Sequence, residues 1–304
     1  MGVKDFGFRV YEGGRTSVFS RMLHISTLEV ARFFRSKKFL LFFLFCILPA
    51  LMQLVMVFIE FVVFEGSGKI QGMEIGPAMS RRLVRGGPFR AGISNFTFYF
   101  GAMLDTGPML VWLFTAVVGA GSLARDRAKN ALEIYFTRGI RPIHYFLSKW
   151  GAVTFLILCQ LLFPFLLVWL SAVLLAPDWT LLELTAGYVP RLIYGQMFVA
   201  LTLALWTTSL SSSTSSPRFA AVRWLGVFFV LHITGHFLYK RVFNDSHAML
   251  VSPWNIVKEA GFWIVDEPTR YQIQEVYLFP AWFLLCVLAL LWARHSLKPG
   301  RVVA

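Results

Sequence analysis

Long apolar runs constrain this chain more than any other feature of its sequence. Hydrophobic residues make up 57% of its 304 positions and charged residues only 15%, which is more apolar surface than one soluble core could bury. Six runs approach or exceed the roughly 20 residues that cross a hydrocarbon core of about 30 Å. The sequence therefore predicts an all-α, polytopic membrane protein with six transmembrane helices, at about 39–63, 96–122, 150–175, 188–210, 221–239 and 276–293.

Basic residues flank these runs and set the expected orientation. Six spans place both termini on one side, and the loops on that side hold 19 of the 29 Lys and Arg residues. The positive-inside rule then predicts cytoplasmic termini, in what we expect to be a bacterial inner (cytoplasmic) membrane. Because the charge clusters beside the spans, the net charge of +13 indicates contact with lipid and not with nucleic acid. A basic group on the opposite side weakens the bias: Lys69, Arg81, Arg82, Arg85 and Arg90.

The spans divide the chain into three regions. We expect a cytoplasmic N-terminus with an interfacial helix over 1–38, a six-span transmembrane domain over 39–293 and a cytoplasmic tail over 294–304. Within the transmembrane domain, 65–94 and 240–275 are predicted outer segments.

The interfacial helix is predicted to start at Ser26. Ser26 and Glu29 have the spacing of a capping box, in which a hydroxyl and a carboxylate bind the free N–H groups of a first helical turn. Apolar and basic residues then alternate at helical spacing, as in a helix that lies in the headgroup layer. An ordinary extension of the first span is the alternative.

Other residues predict where helices bend, start or meet lipid. Pro49 is expected to kink the first span, and Pro253 to begin a short helix in the last outer segment. Trp224 and Tyr239 are expected interface anchors. The Ser-rich stretch at 209–216 is predicted to be a flexible cytoplasmic turn.

The segment 125–149, between the second and third runs, is strongly basic. Six of its residues are Lys or Arg, against two acidic ones, so it is not expected to cross a bilayer. Gly139 and Pro142 break it, and Pro142 is expected to open a second short helix. A short amphipathic helix is predicted before that break, with an apolar face formed by Ala128, Ala131, Leu132, Tyr135 and Phe136. A plain positive-inside loop would explain the charge but not this face.

This stretch resembles the region between the second and third spans of type-2 ATP-binding cassette (ABC) exporter permeases. The six-span layout is also similar, whereas the specific motif covers only about thirty residues. The chain departs from the family at Ala128, Lys129 and Asn130, where acidic residues are common, so its surface here is unusually basic. The matching residues are Arg125, Asp126, Ala131, Leu132, Glu133, Arg138, Ile140, Arg141 and Lys149.

The resemblance implies a permease that works with a separate ABC ATPase dimer. Two permease chains, identical or different, would pair in the membrane, and each coupling segment would sit in a groove of an ATPase subunit. The chain itself lacks a phosphate-binding GxxxxGK[ST] loop, so we expect it to be no enzyme and to hold no cofactor. ATP and Mg²⁺ would be bound by the partner, and an unidentified substrate would move outward. The implied ATPase-coupling residues are Arg125, Asp126, Ala131, Leu132, Glu133, Arg138 and Arg141.

Polar residues inside the spans are costly to bury, so each is a candidate for the translocation path. The candidates are Gln53, Glu60, Asp105, His232 and His236. Glu60 and Asp105 lie toward the ends of their spans, and snorkelling to the headgroups is the alternative for both.

His232 and His236 stand four residues apart and share one helix face. That spacing suits a metal or haem, so an intramembrane metal or haem protein is one rival interpretation. No third ligand is evident, and hydrogen bonding between helices is the simpler explanation, so we predict no metal site. Cys46, Cys159 and Cys286 all lie in apolar runs and are expected to be buried thiols. A membrane assembly factor that transports nothing is a second rival.

Overall fold

Helices form nearly all of the secondary structure. The computed structural model describes residues 17–59, 69–70, 73–74, 104, 108–132, 135, 140–176, 179–266 and 271–297. Two two-residue strands, β1 (Lys69–Ile70) and β2 (Met73–Glu74), form a small antiparallel pair. The helices are α1 (Val18–Phe34), α2 (Lys37–Cys46), α3 (Leu48–Phe58), α4 (Pro108–Thr115), α5 (Ser122–Ala128), α6 (Pro142–Leu175), α7 (Thr180–Thr185), α8 (Tyr188–Ser211), α9 (Pro217–Phe237), α10 (Pro253–Ile264) and α11 (Glu275–Ser296).

Five helical stretches are long and apolar enough to cross a membrane, which makes the chain a helical membrane protein. The bent pair α2 and α3 brings the number to six if it forms one span. Four of the predicted spans thus match single helical stretches closely, while the first is broken and the start of the second lies outside the described residues. The five stretches are Pro108–Ala128, Pro142–Leu175, Val189–Ser211, Pro217–Phe243 and Glu275–Ser296.

The first helix starts earlier than its sequence suggests. Ser17 caps α1, because its hydroxyl accepts a hydrogen bond from the Ser20 N–H at 3.1 Å. Ser26 lies inside the helix and donates to the Ser148 carbonyl of α6 at 2.7 Å. The predicted helix start at the Ser26–Glu29 capping box is therefore wrong. Both residues instead face the rest of the protein.

The first span bends where proline was expected to kink it. α2 ends at Cys46, α3 begins at Leu48, and the two axes differ by 50°. Pro49 sits in the first turn of α3, where its missing N–H costs no hydrogen bond. For the same reason Pro49 cannot continue the backbone hydrogen bonds of α2. The prediction of a kink at Pro49 is confirmed.

The second span continues into the basic segment without a loop. α4 passes through a π-helical stretch, Ala116–Ala120, into α5, which carries Arg125, Asp126 and Arg127 in its last two turns. Asn130 then adopts a left-handed backbone conformation with φ of 53°, which ends the helix. The prediction of one amphipathic helix from Ala128 onward is therefore wrong, since the chain breaks between Ala128 and Ala131.

α6 runs unbroken from Pro142 for 34 residues, or about 51 Å. Pro142 occupies its first turn, as predicted, but opens this long helix and not a separate short one. Because a hydrocarbon core is about 30 Å thick, α6 is long enough to extend well beyond it. Its first turns carry Tyr145 and Lys149, both buried.

α9 begins near the start of α5, since a Cβ added at Gly121 would lie 3.6 Å from that of Pro217. Trp224 is fully buried, and its indole N–H donates to the Trp112 carbonyl at 3.2 Å. Its prediction as an interface anchor is wrong, because this ring fills the core between α4 and α9. Tyr239 is half-buried, with its ring 5.6 Å from that of Tyr271.

At the other end of α9, a short 3₁₀ helix, Ser246–Val251, leads into α10. Pro253 begins α10 as predicted, and the Ser252 hydroxyl caps it by accepting from the Asn255 N–H. Ten of the twelve residues of α10 are buried, so this segment packs into the protein.

Candidate coupling site

A buried carboxylate joins the N-terminal helix to the basic segment. Glu29 of α1 is only 4% exposed, and its two oxygens face cations from different helices. Oε1 accepts from Arg125 Nη2 of α5 at 3.2 Å, and Oε2 from Lys149 Nζ of α6 at 2.7 Å. Arg32 is exposed and lies farther from the carboxylate, with its Nη1 3.6 Å from Glu29 Oε2. Glu29 thus holds three helices together at one point.

Lys149 links this carboxylate to a second one. Its Nζ also lies 2.7 Å from Asp126 Oδ2, while its side chain is only 3% exposed. The Tyr145 hydroxyl donates to the same Asp126 oxygen at 2.7 Å. We call Glu29, Arg125, Asp126, Tyr145 and Lys149 the Glu29 cluster. Its two cations and two carboxylates balance, and such pairing is what allows charges to be buried.

Arg127 ties the same helix to two further ones. Its guanidinium donates to the Ser212 carbonyl at the end of α8 and, at 3.2 Å, to the Ser296 carbonyl at the end of α11. Carbonyls at helix C-termini lack partners within the helix and attract cations. Three consecutive residues of α5 therefore hold it to α1, α6, α8 and α11.

A serine of α8 supports the backbone where the second span changes pitch. The Ser211 hydroxyl donates to the Ala120 carbonyl at 2.6 Å and accepts from the N–H groups of Leu123 and Ala124, at 3.2 and 3.1 Å. These backbone groups flank Gly121, the break between the π-helical stretch and α5. One hydroxyl therefore serves three backbone groups.

The prediction of a flexible turn at 209–216 is wrong for its first half, since Ser209, Ser211 and Ser212 are buried. A run of serines is typical of loops, and nothing in the sequence marks that one of them faces another helix.

Only part of the predicted apolar face packs into the protein. Leu132 is fully buried, and the Tyr135 ring lies 5.3 Å from that of Tyr145. Ala131 is half-buried, whereas Ala128 is exposed. Leu132 thus anchors the segment, in an apolar layer with Ile25, Leu123, Tyr145, Phe146, Ala293 and Leu297.

The remaining predicted coupling residues divide into two groups. Arg141 is exposed at the start of α6, outside the Glu29 cluster. Glu133 and Arg138 lie outside the described residues, and so does Phe136. The turn at the end of α5 is exposed from Ala128 to Asn130, and it carries one basic residue, Lys129.

The candidate path residues do not form one group. Gln53 lies on α3, which packs against α6, whereas His232 and His236 lie on α9 against the segment that includes α10. Glu60 and Asp105 lie outside the described residues.

The two histidines form a hydrogen-bonded chain. His236 Nδ1 donates to the His232 carbonyl at 3.2 Å, and its Nε2 lies 3.1 Å from the Tyr271 hydroxyl. His232 Nδ1 lies 3.1 Å from the Ser252 hydroxyl, which also caps α10. These contacts support the interpretation as hydrogen-bonding residues. Among the described residues, no group of three or more His, Cys, Asp or Glu side chains is placed to hold a metal.

Two charged residues of α10 were missed in the sequence. Lys258 and Glu259 are buried beside the histidine chain, Lys258 with its Nζ 5.8 Å from the Tyr271 ring centre. Glu259 Oε2 accepts from the Tyr271 N–H at 3.5 Å. Adjacent opposite charges inside an apolar stretch were the available signal. We call His232, His236, Ser252 and Tyr271, with Lys258 and Glu259, the His232 cluster.

The cysteines do not contribute to either cluster. All three are free thiols, with Cys46 and Cys286 buried and Cys159 half-buried.

No protein-family model matches the chain, and no curated protein matches it.

Proposed function

We propose that the chain is the membrane-spanning permease subunit of a type-2 ABC exporter. It would pair with a second permease chain and couple ATP hydrolysis, in a separate ATPase dimer that binds ATP and Mg²⁺, to outward transport. The observation that carries the proposal is the attachment of α5, at the basic segment, to four other helices by buried charges and carbonyl contacts.

Coupling requires that a push on one surface moves several spans together. An exposed turn on flexible attachments would absorb such a push. Here the turn at Lys129 follows directly on α5, and α5 is held by the Glu29 cluster and by Arg127. Buried side-chain networks resist partial rearrangement, because each member left unpaired is costly. Displacement of the turn would therefore be passed to α1, α6, α8 and α11.

The exposed charge of the turn suggests how an ATPase would recognise it. Lys129 is exposed, and the acidic residues common in the family are absent at positions 128–130. We propose that the ATPase groove carries an acidic rim, since complementary charge favours the correct partner and speeds association. Both termini and this turn would lie in the cytoplasm of a bacterial cell.

Co-purification tests this proposal. A tagged chain, expressed in its native host, should bring down an ABC ATPase, and Lys129→Glu should reduce the recovered ATPase about tenfold. Arg218→Glu is the matched control, because Arg218 is an exposed basic residue in the first turn of α9, at the same end of the spans. Equal ATPase recovery with Lys129→Glu and wild type would count against the proposal.

ATP hydrolysis by the complex separates transport from mere assembly. A permease should alter the rate of its ATPase in a way that depends on the Glu29 cluster, so Glu29→Gln should change that rate. If the ATPase binds but hydrolyses ATP at the same rate with the wild-type chain and with Glu29→Gln, the rival interpretation of a non-transporting assembly factor is favoured.

A further inference from the structure

A groove at the basic end of the spans combines two arginines with an apolar floor. It has a volume of about 660 Å³ and lies between the start of α6 and the end of α11. That volume is within the range of small-molecule sites, about 300–1,000 Å³. Its lining consists of Arg141, Pro142, Ile143, Phe146, Leu290, Ala293, Arg294 and Leu297.

The two arginines give the groove a positive charge. Arg141 precedes the first turn of α6 and Arg294 lies in the last turn of α11, and both are exposed. Neither guanidinium forms an ion pair with a described residue, and no described residue in the lining is acidic. In the Glu29 cluster, by contrast, each buried cation faces a carboxylate. The groove therefore attracts an anion.

The floor indicates that this anion carries a hydrocarbon chain. Phe146, Ala293 and Leu297 belong to the buried apolar layer under the basic segment. Leu290 of α11 is 46% exposed, and Phe283, seven residues earlier on the same face of that helix, is 62% exposed. A soluble phosphate would leave these surfaces in water, whereas an acyl chain would cover them. The apolar surface runs from the arginines toward the middle of the span.

We propose that this groove binds an anionic phospholipid, with its phosphate between Arg141 and Arg294 and one acyl chain along Leu290. Basic pockets between membrane helices near the headgroup layer suit such lipids. The proposal is independent of transport: it needs only that α6 and α11 meet at a membrane surface. It also gives Arg141 a role separate from the contact with an ATPase that the family resemblance implies.

Native mass spectrometry of the full-length chain in detergent tests the proposal. Phosphatidylglycerol should bind more tightly than phosphatidylcholine with the same acyl chains. The double variant Arg141→Gln with Arg294→Gln should weaken phosphatidylglycerol binding about thirtyfold, since each basic residue near the surface contributes about 1 kcal/mol. Arg141→Lys with Arg294→Lys keeps the charge and should retain most of the preference.

Two controls separate this site from general attraction. Arg218→Gln removes an exposed charge at the same end and should leave binding unchanged, and millimolar inorganic phosphate should not displace the lipid. The proposal is overturned if the double Gln variant binds phosphatidylglycerol as wild type does, if Arg218→Gln loses it equally, or if inorganic phosphate displaces it completely.

Discussion

The two polar clusters bury charged residues in different ways. The Glu29 cluster joins four ionisable side chains from three helices through contacts as short as 2.7 Å. In the His232 cluster, hydrogen bonds at 3.1–3.2 Å link histidine, serine and tyrosine, beside the buried Lys258 and Glu259. Because His232 lies about 22 Å along α9 from Pro217, the two clusters sit toward opposite ends of the spans.

The difference bears on what each end does. A network of charges cannot lose one member without leaving another buried and unpaired, so the Glu29 end should behave as a rigid unit. A single hydrogen bond of the histidine chain costs less to exchange, so His232, His236 and Tyr271 should tolerate substitution better. Under the proposed function, the firm attachment would lie where force enters, and the easier rearrangement would lie at the far end.

The largest expected effect is that of Glu29→Gln. The change leaves Lys149 and Arg125 without this carboxylate, and removing one partner of a buried ion pair costs about 3–5 kcal/mol. Unfolding in detergent, followed by heat or denaturant, should show a loss of that size. Arg32→Gln is the control, since that exposed pair should contribute about 1 kcal/mol or less. Similar losses for both variants would mean that the Glu29 contacts are not a buried network.

An intermediate effect is expected for Ser211→Ala. The change removes one hydroxyl that serves three backbone groups at Gly121, and leaving buried polar groups unsatisfied costs about 1–3 kcal/mol. Ser213→Ala, at a half-buried hydroxyl that donates to one carbonyl, should have little effect in the same unfolding assay. If the two variants were equally stable, the Ser211 hydroxyl would not stabilise the backbone at Gly121.

The smallest effect is expected at the His232 end. A double-mutant cycle of His236→Phe and Tyr271→Phe should give a coupling of about 0.5–1.5 kcal/mol, the usual contribution of one neutral hydrogen bond. Coupling above about 3 kcal/mol would remove the contrast between the two ends, because it would make the histidine chain as strongly held as the Glu29 cluster.

The sequence predicted what depends on neighbouring residues along the chain. Apolar run length identified the span helices, and Pro49, Pro142 and Pro253 marked a bend and two helix starts correctly because proline acts through its own backbone. The Ser26 capping box failed although its spacing was correct. Ser17, nine residues earlier, caps the helix, and Glu29 finds its partners elsewhere.

What the sequence could not show are pairings between distant residues. Glu29 meets Arg125 and Lys149 across 96 and 120 positions, and Ser211 meets Ala120 across 91. A single sequence contains no signal for such contacts. The same limit explains Trp224, whose amphipathic ring suits an interface but here donates to Trp112 inside the core.

In the proposed function the turn at Lys129 contacts an ATPase, and site-specific photocrosslinking tests this contact most directly. A benzoylphenylalanine placed at position 129 of the full chain, irradiated in growing cells, should form a crosslink to an ABC ATPase subunit. The same probe at position 218 should give at least tenfold less of that product. If the probe at 129 crosslinks to no ATPase, the proposed contact is contradicted.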